Sequence, residues 1–124
     1  MAVGCRALSL SLLAGLLGLA LASAPADKDK SVAKTDQENG RKIYKTHCAI
    51  CHFAGSSFDK VGPGMKGLFK LKKLPGSGLP VTEKNVRSII ERGTGDPQMT
   101  PMPPFRDRLS PKEKDDLIAY LKTL

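Results

Sequence analysis

The stretch His47-Cys48-Ala49-Ile50-Cys51-His52 constrains what this chain can fold into more than any other part of it. Cys-x-x-Cys-His is a spacing for covalent haem attachment. Each thiol can form a thioether to one of the two vinyl groups of a single haem, and the histidine that follows then lies under the ring, where its imidazole can bind the iron. Two other chemistries also use paired cysteines. A thioredoxin-like redox pair sits near a βαβ pattern, and no alternation of strand and helix signals is visible here. A zinc site wants four Cys or His ligands. His47 and His52 are the only histidines, and both neighbour the thiols in sequence, so a tetrahedron built from these four would be strained. On these residues haem leads, with zinc and thiol redox behind it.

A haem-centred fold suits the size and composition. With 124 residues, no Trp and only 5% aromatic side chains, the chain has room for one small domain with a modest core. Small scaffolds of this kind often need a staple, metal or cofactor. Twelve Gly and nine Pro imply much loop. Residues 1–24 read as a secretory signal peptide: Arg6 supplies a short positive region, Ala7 to Ala22 is apolar and uncharged, and small residues follow, so that cleavage is expected after Ala22, Ala24 or Ala26. The apolar run is shorter than the ~20 residues of a usual membrane-spanning helix, and an uncleaved N-terminal anchor is the alternative. Cys5 would leave with the signal, so the mature chain keeps only Cys48 and Cys51. The pair could form a disulfide in an oxidising compartment, but His52 directly after it makes haem attachment the better use.

The net charge is +8, and Arg6 is the only charge lost with the signal. Such a surface suits a partner with an acidic face or an anionic membrane surface. Nucleic acid is the generic reading of a basic chain, but export and the lack of a nucleic-acid motif argue against it.

The helix signals point to an all-α class. Residues 25–34 form a charged leader, expected to be flexible. Thr35-Asp36-Gln37-Glu38 matches a capping box, which predicts a helix from Asp36 to His47 with Gly40 and Tyr44 on one face. Thr82 caps a helix over Glu83 to Arg92 with Val86, Ile89 and Ile90 as its buried stripe and Gly93 at its end. Ser110-Pro111-Lys112-Glu113 is the clearest helix start, followed by the stripe Leu117, Ile118 and Leu121. Between these helices lie a long segment from Phe53 to Val81 and a Pro- and Met-rich loop from Thr94 to Phe105. A structureless stretch as long as the first is unusual unless functional, and wrapping a haem would be such a function.

Met is the usual sixth ligand of an electron-transfer haem, and its soft thioether raises the potential. Met65 follows the Gly-Pro turn near His52 and reads as core filler on the His52 side. Met102, flanked by Pro101, Pro103 and Pro104, is the favoured ligand because prolines stiffen its loop. Met99 is the alternative.

In this order the pieces resemble a class I c-type cytochrome of the small bacterial monohaem kind, with the domain running over 35–124. The resemblance is carried by Gly40 and Tyr44, by Cys48 to His52, by Gly62-Pro63-Gly64-Met65-Lys66-Gly67-Leu68, by Met102-Pro103-Pro104-Phe105, and by Leu117, Tyr120 and Leu121. It implies the cytochrome c fold, three to five helices wrapped around one covalently bound haem c. It also implies thioethers at Cys48 and Cys51, axial ligation by His52 and Met102, and a hydrogen bond from His52 to the Pro63 carbonyl. Gly40 and Tyr44 would pack against Leu117 and Tyr120 where the terminal helices cross. The function implied is a periplasmic single-electron carrier between respiratory or dehydrogenase partners, and not an enzyme. Lys66, Lys70, Lys72 and Lys73 are either part of its docking face or solvated loop charges. The competing expectations are a haem enzyme or gas sensor with an open or labile sixth position, and a membrane-tethered subunit of a larger complex.

Overall fold

The computed structural model describes residues 26–95 and 101–124, so the apolar leader and Met99 lie outside the described residues. Three α-helices carry the fold: α1 (Ala26–His47), α2 (Glu83–Arg92) and α3 (Pro111–Leu121), with a 3₁₀ turn at Leu68–Lys70 between α1 and α2. The described residues contain no strand; two isolated antiparallel bridges, Lys73 with Pro80 and Thr94 with Met102, pinch the loops.

The starts of α2 and α3 follow the local chemistry. The Thr82 hydroxyl accepts from the Asn85 N–H at 3.1 Å. At α3 the box is reciprocal: the Ser110 N–H donates to the Glu113 carboxylate at 2.8 Å, and the Glu113 N–H donates to the Ser110 hydroxyl at 3.3 Å. Each cap satisfies backbone donors that the first helical turn leaves free.

The start of α1 is a correction. The helix begins at Ala26, takes in the segment read as a charged leader, and passes straight through Thr35. Thr35 is not a cap: its hydroxyl donates back to the Ser31 carbonyl at 2.9 Å. Glu38 turns to Arg41 instead, at 2.7 Å. The reason is that a Thr-x-x-Glu pattern caps only where the preceding chain leaves helical geometry. Residues 27–34 hold neither Gly nor Pro, so nothing ends the helix there.

Helices α1 and α3 cross at Gly40. A Cβ on Gly40 would stand 1.9 Å from the Asp116 carbonyl oxygen and 2.8 Å from the Tyr120 Cβ, so only a missing side chain permits the approach. One turn on, the Tyr44 and Tyr120 rings meet edge to face with centroids 5.5 Å apart. Beside the crossing, Lys112 of α3 pairs with Asp36 of α1 at 2.6 Å and also with Asp116. The core runs from this crossing through Leu117, Ile118 and Leu121 to Val86 and Ile90 of α2, and is closed by Leu68, Leu74, Phe105 and Leu109 from the loops. Burying a side chain of this size stabilises by about 1.5–3 kcal/mol.

Two charged residues of α3 are buried, Lys114 and Asp116; Lys114 stands three residues before Leu117 and four before Ile118, on the face of the helix that carries the apolar stripe.

Candidate functional site

Between the end of α1, the loop after it and α2 lies a cavity of about 780 Å³, within the range usual for small-molecule and cofactor sites. Cys48, Cys51, His52 and Met102 all line it, as do Met65 and Pro63. Its wall also includes Leu68, Ile89 and Leu117. An apolar box with a few ligand atoms is what a large, flat, mostly hydrocarbon cofactor requires.

The local backbone explains how the motif is presented. The chain leaves α1 in a further turn, in which the Cys51 and His52 N–H groups both donate to the Cys48 carbonyl, at 3.0 and 2.9 Å. The next loop folds back, with the Val61 and Gly62 N–H groups donating to the Cys51 carbonyl at 3.1 and 2.8 Å. Lys60 reinforces the fold-back by donating to the Ala49 carbonyl at 2.8 Å. This return places Pro63 against the imidazole: His52 Nδ1 lies 2.8 Å from the Pro63 carbonyl oxygen. A carbonyl can only accept, so Nδ1 carries the proton and Nε2 keeps its lone pair for a metal. Gly62 completes the cradle. A Cβ there would lie 2.3 Å from His52 Cε1, so the ring occupies the space a side chain would need. On the α1 side the Tyr44 hydroxyl donates to the His52 carbonyl at 2.9 Å. Burial, followed by the neighbouring Cys48 and Tyr120, raises the Tyr44 pKa, so the phenol stays protonated and keeps its donor.

Cys48 and Cys51 are both free and partly buried. Burial, with a smaller contribution from Cys51, pushes the Cys48 thiol up to about 11. Among the described residues, no three His, Cys, Asp or Glu side chains gather in a way that could hold a metal ion. The residues lining the cavity fit haem: two thiols, one oriented imidazole and a largely apolar wall.

Met102 reaches the same cavity from the loop after α2. Its N–H donates to the Thr94 hydroxyl at 3.3 Å and its carbonyl accepts from the Thr94 N–H at 3.1 Å, so its own peptide units are tied to the end of α2. Met65 is partly buried against the core, as expected of a filler, while also lining the cavity. Lys66, Lys70, Lys72 and Lys73 are all exposed. Thr94 and Tyr44 were not foreseen as site residues. A hydroxyl that bonds one backbone group far along the chain leaves no local pattern to read.

Comparison with known proteins agrees with this geometry. Residues 37–124 match the family described as cytochrome c. A cytochrome c-553-like protein of Synechocystis is 34% identical over 92 residues, covering 73% of this chain and 71% of that protein. A cytochrome c6-like protein of Nostoc is 31% identical over 114 residues, 92% of this chain and 88% of its own length. A cbb3-type cytochrome c oxidase subunit of Rhizobium leguminosarum is 29% identical over 96 residues, 77% of this chain but only 32% of that protein.

Proposed function

Since this chain belongs to the cytochrome c family, and is thereby a haem electron carrier with covalently bound haem c, we propose that it works in the periplasm with its iron held between His52 and Met102. The observation that carries the ligand assignment is that Cys48, Cys51, His52 and Met102 line one apolar cavity, with His52 already oriented by Pro63. Bound there, haem supplies a one-electron ferrous–ferric couple. The protein residues do the rest. Cys48 and Cys51 would hold the ring by thioethers. Pro63 fixes the imidazole tautomer and raises its basicity. Met102 would supply the second iron ligand, and a thioether favours the ferrous state. The apolar part of the wall, Leu68, Ile89 and Leu117 among it, would pack against the ring.

Partners are redox proteins. The exposed lysines at 66, 70, 72 and 73 fit an acidic docking face, with an anionic membrane surface as a further partner of the same charge. Replacing the four with Gln slows electron transfer at low salt; an unchanged rate excludes this face. The address rests on the apolar leader with its small-residue cleavage sites. Among the described residues no helix is long and apolar enough to cross a membrane. The likeness to part of an oxidase subunit favours a second reading, a tethered domain of a larger assembly. Sequencing the N-terminus of the exported protein decides: a start near Ser23 or Asp27 is the free carrier, a start at Met1 or Ala2 the tethered one.

The ligand test is spectroscopic. The ferric protein should show the far-red Met–iron charge-transfer band, and Met102→Ala should abolish it while Met99→Ala retains it. The opposite pattern transfers the ligand role to Met99. High-spin iron in the unmodified protein, or ready binding of carbon monoxide by the ferrous form, refutes Met ligation and returns the enzyme or sensor reading.

A further inference from the structure

Lys114 has no part in the function as derived so far, yet its side chain is only 6% exposed. Lysine is almost never fully buried unless paired, so its surroundings are informative. The ammonium donates to the Arg106 carbonyl at 2.8 Å and to the Glu91 carboxylate at 3.3 Å. These partners belong to different parts of the fold. Glu91 sits in the last turn of α2, Arg106 ends the segment that begins at Met102, and Lys114 lies in the first turns of α3.

The same junction is stitched by backbone. The Phe105 N–H donates to the Ile90 carbonyl at 2.9 Å and the Arg106 N–H to the Glu91 carbonyl at 3.2 Å. Arg106 is thus held on both faces, its N–H by α2 and its carbonyl by Lys114. Between this anchor and Met102 stand Pro103, Pro104 and Phe105. The two prolines have fixed φ, and Phe105 is buried. Such a segment transmits position: an end that shifts carries the thioether with it. At the other end, Thr94 fixes Met102 itself.

We propose that Lys114 is a positioning residue for the sixth iron ligand, a buried cation that ties the Met102 segment to α2 and α3 and thereby holds the thioether on the iron. The inference rests on the assignment of Met102 as ligand. It assigns to Lys114 no contact with haem or iron. Its consequence is an equilibrium: each opening of the loop frees the sixth position, and Lys114 keeps the open state rare.

Exogenous imidazole reads that equilibrium directly, because it binds ferric iron only when the thioether has left. Imidazole affinity is measured by spectral titration on the haem-loaded wild type, Lys114→Met and Lys114→Arg, beside urea unfolding of each. Hydrogen bonds to charged groups are worth enough that losing this pair raises imidazole affinity about tenfold or more in Lys114→Met. Lys114→Arg, which keeps the charge and the donors, recovers most of the wild-type value. A purely structural role would lower the urea midpoint and leave imidazole affinity of the folded protein unmoved; that outcome overturns the proposal. If Lys114→Met yields no haem-loaded protein, Glu91→Gln decides, since it weakens only the more exposed arm: raised imidazole affinity supports the clamp and an unchanged value refutes it. Failure of the underlying assignment looks different. In that case the wild type lacks the Met–iron band, or Met102→Ala keeps it, whatever Lys114 does.

Discussion

Replacing Gly40 with Ala puts the crossing of the terminal helices to a direct test. On an exposed helix the change would stabilise by about 1 kcal/mol, because Ala is the better helix former. Here the new Cβ meets backbone: the Asp116 carbonyl oxygen would be 1.9 Å away and its carbon 2.6 Å. No rotamer can relieve that contact. Restoring ordinary van der Waals distance of 3.4 Å requires α1 and α3 to part locally by roughly 1.5 Å. Even a gap of half to one ångström forfeits a quarter to a half of a contact's attraction, and the Tyr44–Tyr120 ring pair and the Asp36–Lys112 ion pair share this interface. Overpacking of this kind costs about 1–3 kcal/mol, and a backbone collision belongs at the upper end. Set against the helix gain, the expected net loss is ~2 kcal/mol, or about 8–16 °C in Tm for a domain of this size. Urea and thermal unfolding of the haem-loaded protein, followed by far-ultraviolet circular dichroism, measures it. Gly55→Ala is the control, since its Cβ would meet nothing within 4 Å, and it should stay within about 0.5 kcal/mol of wild type. A Gly40→Ala protein as stable as wild type, with an unchanged urea m-value, would falsify the close-crossing account.

Three further outcomes follow from the site and the helix starts. Gly62→Ala should displace the imidazole, because its Cβ would lie 2.3 Å from His52 Cε1; the yield of covalently loaded protein falls and the spectrum of the His52–iron unit changes, while a wild-type yield and spectrum contradict the cradle. Thr35→Ala should raise stability by a few tenths of a kcal/mol, since Thr35 lies inside α1 and Ala is the better helix former; a loss of about 1 kcal/mol would mean that it caps after all. Glu113 is held below its ordinary 4.5 first by the Ser110 N–H and then by the Ser110 hydroxyl. A lowered carboxylate stabilises fully above its unfolded pKa and loses that contribution as pH falls through the lowered native value. The advantage of wild type over Glu113→Gln should therefore be present near neutrality and disappear on acidification below about pH 4.5, and a difference that grows with acid would reverse the sign.

By itself the sequence determined what depends on neighbours along the chain. Cys48, Cys51 and His52 announce haem attachment because both thioethers and the axial ligand must come from one short turn. The caps of α2 and α3 were legible for the same reason, as Thr82 and Ser110 bond N–H groups three residues away. The reading failed at Thr35, where the same local pattern occurs without a preceding chain that leaves the helix. Tertiary structure decided everything that depends on what arrives from elsewhere. It brought the Asp116 carbonyl to Gly40, turned the Tyr44 hydroxyl onto the His52 carbonyl, and tied Met102 to Thr94. It also gave Lys114, which shares a helix face with Leu117 and Ile118, the partners that let a charge be buried there: a carbonyl from one segment and a carboxylate from another. Haem attachment is written in five consecutive residues. The placement of the segment that carries Met102, the ligand we propose, depends on hydrogen bonds and packing between separate segments of the chain, and only folding assembles those.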